Sequence, residues 1–160
     1  MATEYRLISK DFVKTTQVGS REVLTIQPEA IEQLTEAAFH DIMHFLRPTH
    51  LSQLSKILAD PEASDNDRFV AVNLLENAMI AAEGIFPGCQ DTGTAIVMGK
   101  KGESVWVEGE DEALLNKGIL NAYKNNNFRY SQLAPLDVYT EKNTGTNLPA
   151  ELNVYSTKGD

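Results

Sequence analysis

From Pro28 onward the chain places apolar residues at helical spacing. Ile31, Leu34, Ala38, Ile42 and Phe45 recur every three or four positions, which predicts a helix with a buried face over about 28–46. Pro28 suits a first helical position, and Glu29 suits the positive end of the helix dipole. Arg47-Pro48 closes the segment, because the residue before a proline is pushed out of the α region. Leu51, Leu54 and Leu58 predict a second helix over 49–59, broken at Asp60-Pro61. Ser64 then offers a cap, and Asp65 and Asp67 an acidic first turn, for a third helix over 65–84. Its predicted buried stripe is Phe69, Val72, Leu75, Met79 and Ala82, and Gly84 is its natural stop.

The pattern then changes. Thr94–Met98 and Ser104–Val107 flank Gly99-Lys100-Lys101-Gly102, which predicts β-hairpin strands near 94–98 and 103–107 joined by a four-residue, solvated turn. Glu110-Asp111-Glu112 opens a fourth helix over 110–125, carried by Leu114, Leu115, Ile119 and Tyr123 and ended by Asn125-Asn126-Asn127. Ahead of the first helix, Gly19-Ser20 reads as a turn and Glu22–Ile26 as strand-rich in otherwise irregular sequence. After Phe128 the chain is loop-like until Leu152–Tyr155, which alternates like a strand. The expected class is α+β, with residues 1–160 forming one domain. A helical part over 28–84 precedes a mixed α/β part over 85–160, with an antiparallel hairpin and a packed helix.

Composition narrows the classes. With 160 residues, 42% apolar and 23% charged, the chain can bury a core of its own. No window approaches the ~18 consecutive apolar residues of a membrane span, and Met1–Tyr5 shows no secretory signal. The net charge of −9 argues against nucleic acid or an anionic membrane as partner. One cysteine excludes an internal disulfide and points to a reducing, cytoplasmic setting.

That cysteine sits in Phe86-Pro87-Gly88-Cys89-Gln90-Asp91-Thr92-Gly93-Thr94, a helix-to-strand connection of the kind that carries function. A soft metal ligand or nucleophile, an amide, a carboxylate and two hydroxyls stand within six positions. The alternative is a structural turn with a buried thiol. A cysteine nucleophile needs a nearby base, and the histidines are distant in sequence. His40-Asp41-Ile42-Met43-His44 has the i, i+4 spacing of a zinc-hydrolase helix, but its Asp is short for the general base and no third ligand is specified. The plainer reading puts both histidines on or beside the polar flank of the first helix.

Pro87-Gly88-Cys89-Gln90-Asp91-Thr92-Gly93-Thr94-Ala95 resembles the signature of the class I, iron–sulfur-dependent fumarate hydratases. Phe39-His40-Asp41, Leu46-Arg47-Pro48, Arg129-Tyr130-Ser131-Gln132 and Asn143-Thr144-Gly145-Thr146-Asn147-Leu148-Pro149-Ala150 resemble further segments of that family's N-terminal part, in the same order. The resemblance implies that Cys89 ligates a [4Fe–4S] cluster. It implies that Gln90 and Asp91 face a small dicarboxylate, fumarate or malate, with Asp91 in acid–base catalysis. It implies that Arg129 clamps a substrate carboxylate. Thr144, Thr146 and Asn147 are equally readable as turn-forming or site-lining, and His40 as a neighbour of the site. Such clusters take three cysteines, so two more are expected outside these 160 residues, from the remainder of the polypeptide or a second subunit. The chain alone is expected to be inactive, and the intact enzyme to be a homodimer. L-tartrate dehydratases share the Cys-Gln-Asp-Thr-Gly core, and a non-catalytic module retaining the signature is a further alternative.

Overall fold

Local sequence and structure agree on the helices. The computed structural model describes residues 5–89 and 93–159. Helix α1 spans Pro28–His44, α2 Pro48–Ala59, α3 Asp65–Ala81 and α4 Asp111–Asn125. Proline occupies the first turn of α1 and of α2, where a missing N–H costs nothing. Ser64 and Asp67 form a reciprocal capping box at the start of α3: Asp67 N–H donates to Ser64 Oγ at 3.2 Å and Ser64 N–H to Asp67 Oδ2 at 2.9 Å. The Ser64 hydroxyl also donates to Asp67 Oδ2, at 2.7 Å, and this bond first, then the one from Ser64 N–H, holds the Asp67 carboxyl below its ordinary value. Gly84 follows with φ +74°, a left-handed conformation that glycine adopts freely.

The strands are β1 (Val13–Val18), β2 (Arg21–Ile26), β3 (Ile96–Gly102), β4 (Val105–Val107), β5 (Leu133–Pro135), β6 (Glu141–Asn143) and β7 (Glu151–Thr157). The class is α+β. Strands β1 and β2 form an antiparallel hairpin around Gly19-Ser20, and β5 and β6 form another antiparallel pair. The expected hairpin over 94–107 does not form. Strand β3 runs through Gly99-Lys100-Lys101-Gly102 and pairs parallel with β7, while β4 pairs parallel with β2 in a different sheet. The reason lies just past β3. Glu103 N–H donates to the Thr157 carbonyl at 2.8 Å, and Leu24 N–H to the Ser104 carbonyl at 2.8 Å. The chain is thus handed from one sheet to the other instead of folding back. Alternation specifies a strand and its faces, not its neighbour.

The core joins Phe39 and Met43 of α1 to Ile119, Ala122 and Tyr123 of α4, with Ala95 and Phe128. Helix α1 packs chiefly against α4, and α2 against α3. The buried face of α1 carries Thr35, Phe39, Met43 and His44. The predicted stripe is therefore rotated outward: Leu34, Ala38, Ile42 and Phe45 are exposed, Ile42 at 59%. On α3 the predicted stripe also faces solvent in large part, with Phe69 at 67% and Met79 at 72%. Close packing explains the rotation on α1. A Cβ added at Gly118 of α4 would stand 2.5 Å from Thr35 Cβ and 2.8 Å from the Glu32 carbonyl oxygen. At Gly118 the two helices approach closely, α4 lying directly against Thr35 and the Glu32 carbonyl of α1.

Candidate functional site

The cysteine loop is held from four directions. Asn127 Nδ2 donates to the Ile85 carbonyl at 3.0 Å. Gly88 N–H donates to the Met43 carbonyl near the end of α1 at 2.8 Å. Cys89 N–H donates to Asn77 Oδ1, from the middle of α3, at 2.8 Å. Asn147 Nδ2 donates to the Gly93 carbonyl at 3.0 Å. The thiol of Cys89 is free and its residue exposed, so the buried-thiol alternative does not hold. Backbone groups on both sides of the thiol are bonded while the residue itself is exposed. Gln90, Asp91 and Thr92 lie outside the described residues.

A pocket of about 150 Å³ lies beside the loop, bounded by the ends of α1 and α2 and by α3. Its lining includes His44, His50, Asn77 and Cys89, so the fold brings together histidines and a thiol that are far apart in sequence. His44 is not on a polar flank: it is 2% exposed. Its Nδ1–H donates to the His40 carbonyl at 2.8 Å, which leaves Nε2 an acceptor, buried and without a hydrogen-bond partner among the described residues. The rings of His40 and His44 lie 4.3 Å apart, centroid to centroid. Asp41 accepts from Arg6 at 3.0 Å and contacts His40 Nδ1 at 3.3 Å. Among the described residues no three His, Cys, Asp or Glu side chains gather as a metal site.

Arg129 is exposed and sits between two anchored rings. Phe128 meets Tyr123 edge-on with centroids 5.5 Å apart, and Tyr130 lies 5.6 Å from the same ring. The segment that follows is held by Asn147. This side chain is wholly buried, at 0% exposure, and its φ of 55° is one that asparagine tolerates better than most residues. Its Oδ1 accepts from Ser131 N–H and Gln132 N–H, both at 3.0 Å. Its Nδ2 donates to the Gly93 carbonyl and, at 2.9 Å, to Tyr123 Oη. The partners dictate the orientation of the amide, since backbone N–H groups must face its oxygen and a carbonyl must face its nitrogen. Burial, and then the neighbouring Tyr130, push the Tyr123 phenol above its ordinary value. Thr144 and Thr146 shape the loop around Asn147: Thr144 Oγ1 accepts from Asn147 N–H at 3.1 Å, and Thr146 Oγ1 from Leu148 N–H at 3.3 Å.

Sequence reasoning singled out Cys89 and Arg129, passed over Asn77, and read Asn127 only as part of a helix stop. One signal was available. Asparagine is a poor helix former, so Asn77 inside an apolar helical run asks for a tertiary reason.

A cluster held by three thiolates can take one ligand from here. Cys89 is exposed on a fixed backbone, which fits a single corner, and the chain holds no second cysteine.

A sequence model of the family described as fumarate hydratase (fumerase) matches residues 32–160. The aerobic class I fumarate hydratase of Escherichia coli K12 is 52% identical over 158 residues, covering 99% of this chain and 29% of that protein. The mitochondrial fumarate hydratase 1 of Leishmania major is 52% identical over 159 residues, covering 98% of this chain and 29% of that protein. The L(+)-tartrate dehydratase subunit alpha of E. coli K12 is 27% identical over 146 residues, covering 82% and 48%. This chain therefore spans under a third of the fumarate hydratases it matches.

Proposed function

The chain belongs to the fumarate hydratase family, and on that premise we propose that it is the N-terminal portion of an iron–sulfur hydro-lyase interconverting fumarate and (S)-malate. The observation that carries this reading is the exposed Cys89 thiol on a loop tied at Ile85, Gly88, Cys89 and Gly93. The same buried Asn147 joins that loop to the segment following Arg129. Residues 1–160 act as one domain that supplies one side of the site. The two further thiolates come from the rest of the polypeptide, and the intact enzyme is a cytoplasmic homodimer. The lower identity to the tartrate dehydratase subunit, 27% against 52%, favours fumarate over tartrate as substrate.

Cys89 would hold one iron corner of a [4Fe–4S] cluster. When bound, that group supplies Lewis acidity toward the hydroxyl that is added or lost. The chain's own residues then have separate tasks. Arg129, always charged and planar, pairs with a substrate carboxylate through two parallel N–H···O bonds. That local charge offsets a net charge of −9, which by itself repels a dianion. Gln90 orients the substrate, and Asp91 exchanges the proton at carbon. A loop held at its backbone supports this work, because a misplacement of ~1 Å can cost about 10²-fold in rate.

The test uses the full-length polypeptide, reconstituted with iron and sulfide and assayed for loss of fumarate. Activity should require the complete chain, and residues 1–160 alone should give none. Cys89→Ser should remove most of the iron together with the activity. Full iron content in Cys89→Ser would overturn the ligand assignment, and an iron-replete wild-type enzyme inert toward fumarate would overturn the substrate.

A further inference from the structure

We infer that Asn147 is a positioning residue that sets the spacing between the cysteine loop and the Arg129 segment. The inference rests on the site reading above and extends it to a residue that touches neither substrate nor cluster. Asparagine has two acceptor lone pairs and two N–H donors on its amide, and here every one is used: two backbone N–H groups on the oxygen, one carbonyl and one phenol on the nitrogen. The oxygen holds Ser131 and Gln132, two and three positions past Arg129. The nitrogen holds Gly93, four positions past Cys89 and two past Asp91. One planar group therefore fixes the distance between the Ser131–Gln132 backbone, just past Arg129, and the Gly93 end of the cysteine loop. Tyr123 Oη anchors that group to the α4 core. A wholly buried amide in a dry setting holds its partners more firmly than an exposed one, because no water competes for them.

The chemistry of the amide offers a selective cut. Asn147→Asp keeps the oxygen that accepts from Ser131 and Gln132, and places a second oxygen against the Gly93 carbonyl. Acceptor faces acceptor there, so the cysteine loop is released at its Gly93 end, with its ties at Ile85, Gly88 and Cys89 left in place, while the Arg129 segment stays bound. Tyr123 can turn its hydroxyl to donate to the new oxygen, which keeps the core anchor. Asn147→Gly accepts the left-handed backbone angle without strain and removes both connections.

In the full-length, reconstituted enzyme, Asn147→Asp should lower kcat by about 10²-fold, the size expected of a ~1 Å misplacement. KM, set by the retained clamp, should stay within a few fold. Asn147→Gly should lose kcat and raise KM together. A second readout needs no activity. In metal-stripped full-length protein, alkylation of Cys89 followed by peptide mass spectrometry should run several-fold faster in Asn147→Asp than in wild type. Folded fraction and melting temperature are measured in each variant, and kcat is expressed per folded molecule. A folded Asn147→Asp with wild-type kcat and wild-type Cys89 alkylation would overturn the proposal. So would losses in kcat that vanish once corrected for folded fraction, since a residue needed only for folding behaves that way. If wild-type enzyme proves inactive toward fumarate, the substrate reading fails. The alkylation rates then decide the Asn147 proposal alone.

Discussion

The two halves of this chain place similar residues in opposite settings. Around α1 and α4, a wholly buried Asn147, a buried His44 and a helical glycine are enclosed, and the side-chain amide of Asn147 is fully bonded. In the α2–α3 arm, α2 buries no residue fully and α3 buries only Ala71 and Ala81, while Phe69 and Met79 face solvent. Apolar residues outside and polar ones inside reverse the usual expectation. The difference teaches what ties the site half together. Its elements are joined by buried, bonded polar groups as well as by apolar contact, and such bonds fix distances and directions. The arm's fully buried residues are two alanines, whose side chains form no hydrogen bonds to fix direction.

Gly118 should break the site half with the largest effect. Alanine in a helix interior normally gains ~1 kcal/mol over glycine. Here the new Cβ would lie 2.8 Å from the Glu32 carbonyl and 2.5 Å from Thr35 Cβ, so α1 and α4 must move apart. Overpacking of this kind costs ~1–3 kcal/mol and sometimes more, and the obstacle is backbone as well as side chain. Gly118→Ala should therefore lower the urea midpoint by the equivalent of roughly 3 kcal/mol. Adding Thr35→Gly should restore only part, because the carbonyl contact remains. An unchanged midpoint would mean that the helices separate without cost.

How much of this was legible beforehand follows the same division. Helix positions came through because prolines, the Ser64–Asp67 box and Gly84 act locally, on the residues that carry them. Burial did not come through. On α1 and α3 the strongest apolar periodicity marks faces that this chain leaves open, since a helix shows its stripe but not what lies against it. The parallel partners of β3 and β4 were hidden for a related reason. Pairing Ile96 with Glu151, or Leu24 with Val105, depends on contacts across long stretches of chain. At the site, Cys89 and Arg129 stood out as chemistry, while Asn77 and Asn127 act through backbone groups, and Asn147 through backbone groups and the Tyr123 phenol, that only folding brings near.

Opposite ends of the pH scale should weaken the two halves separately. In the arm, the Asp67 carboxyl is held below its ordinary 3.8 by Ser64. A depressed folded value means that its stabilisation is complete above about that pH and is lost as pH falls through the folded value. In the site half, burial holds the Tyr123 phenol above its ordinary 10.0. A raised folded value means that its stabilisation is complete below that pH and is lost as pH rises through the folded value. Melting temperature against pH should show both limbs. The gap between wild type and Asp67→Asn should narrow only on acidification, and the gap to Tyr123→Phe only on alkalinisation. Two variants that track wild type at both ends would remove these groups as the cause.

The smallest effect should come from the arm's most conspicuous residue. Phe69 is two-thirds exposed, so Phe69→Ser surrenders little buried area in this chain. Phenylalanine and serine have similar helix propensities, and the capping box at Ser64 and Asp67 is untouched. Substitutions of this kind stay within ~0.5 kcal/mol. The urea midpoint of residues 1–160 should therefore not move measurably, and solubility should rise as an exposed ring is removed. The measurement is made at two protein concentrations tenfold apart. A loss above ~1 kcal/mol that is independent of concentration would mean that Phe69 is packed within the folded monomer, against the open arm described here. A loss that grows with concentration would mean that copies of the chain cover the ring by associating, since binding to the folded state raises its apparent stability by mass action.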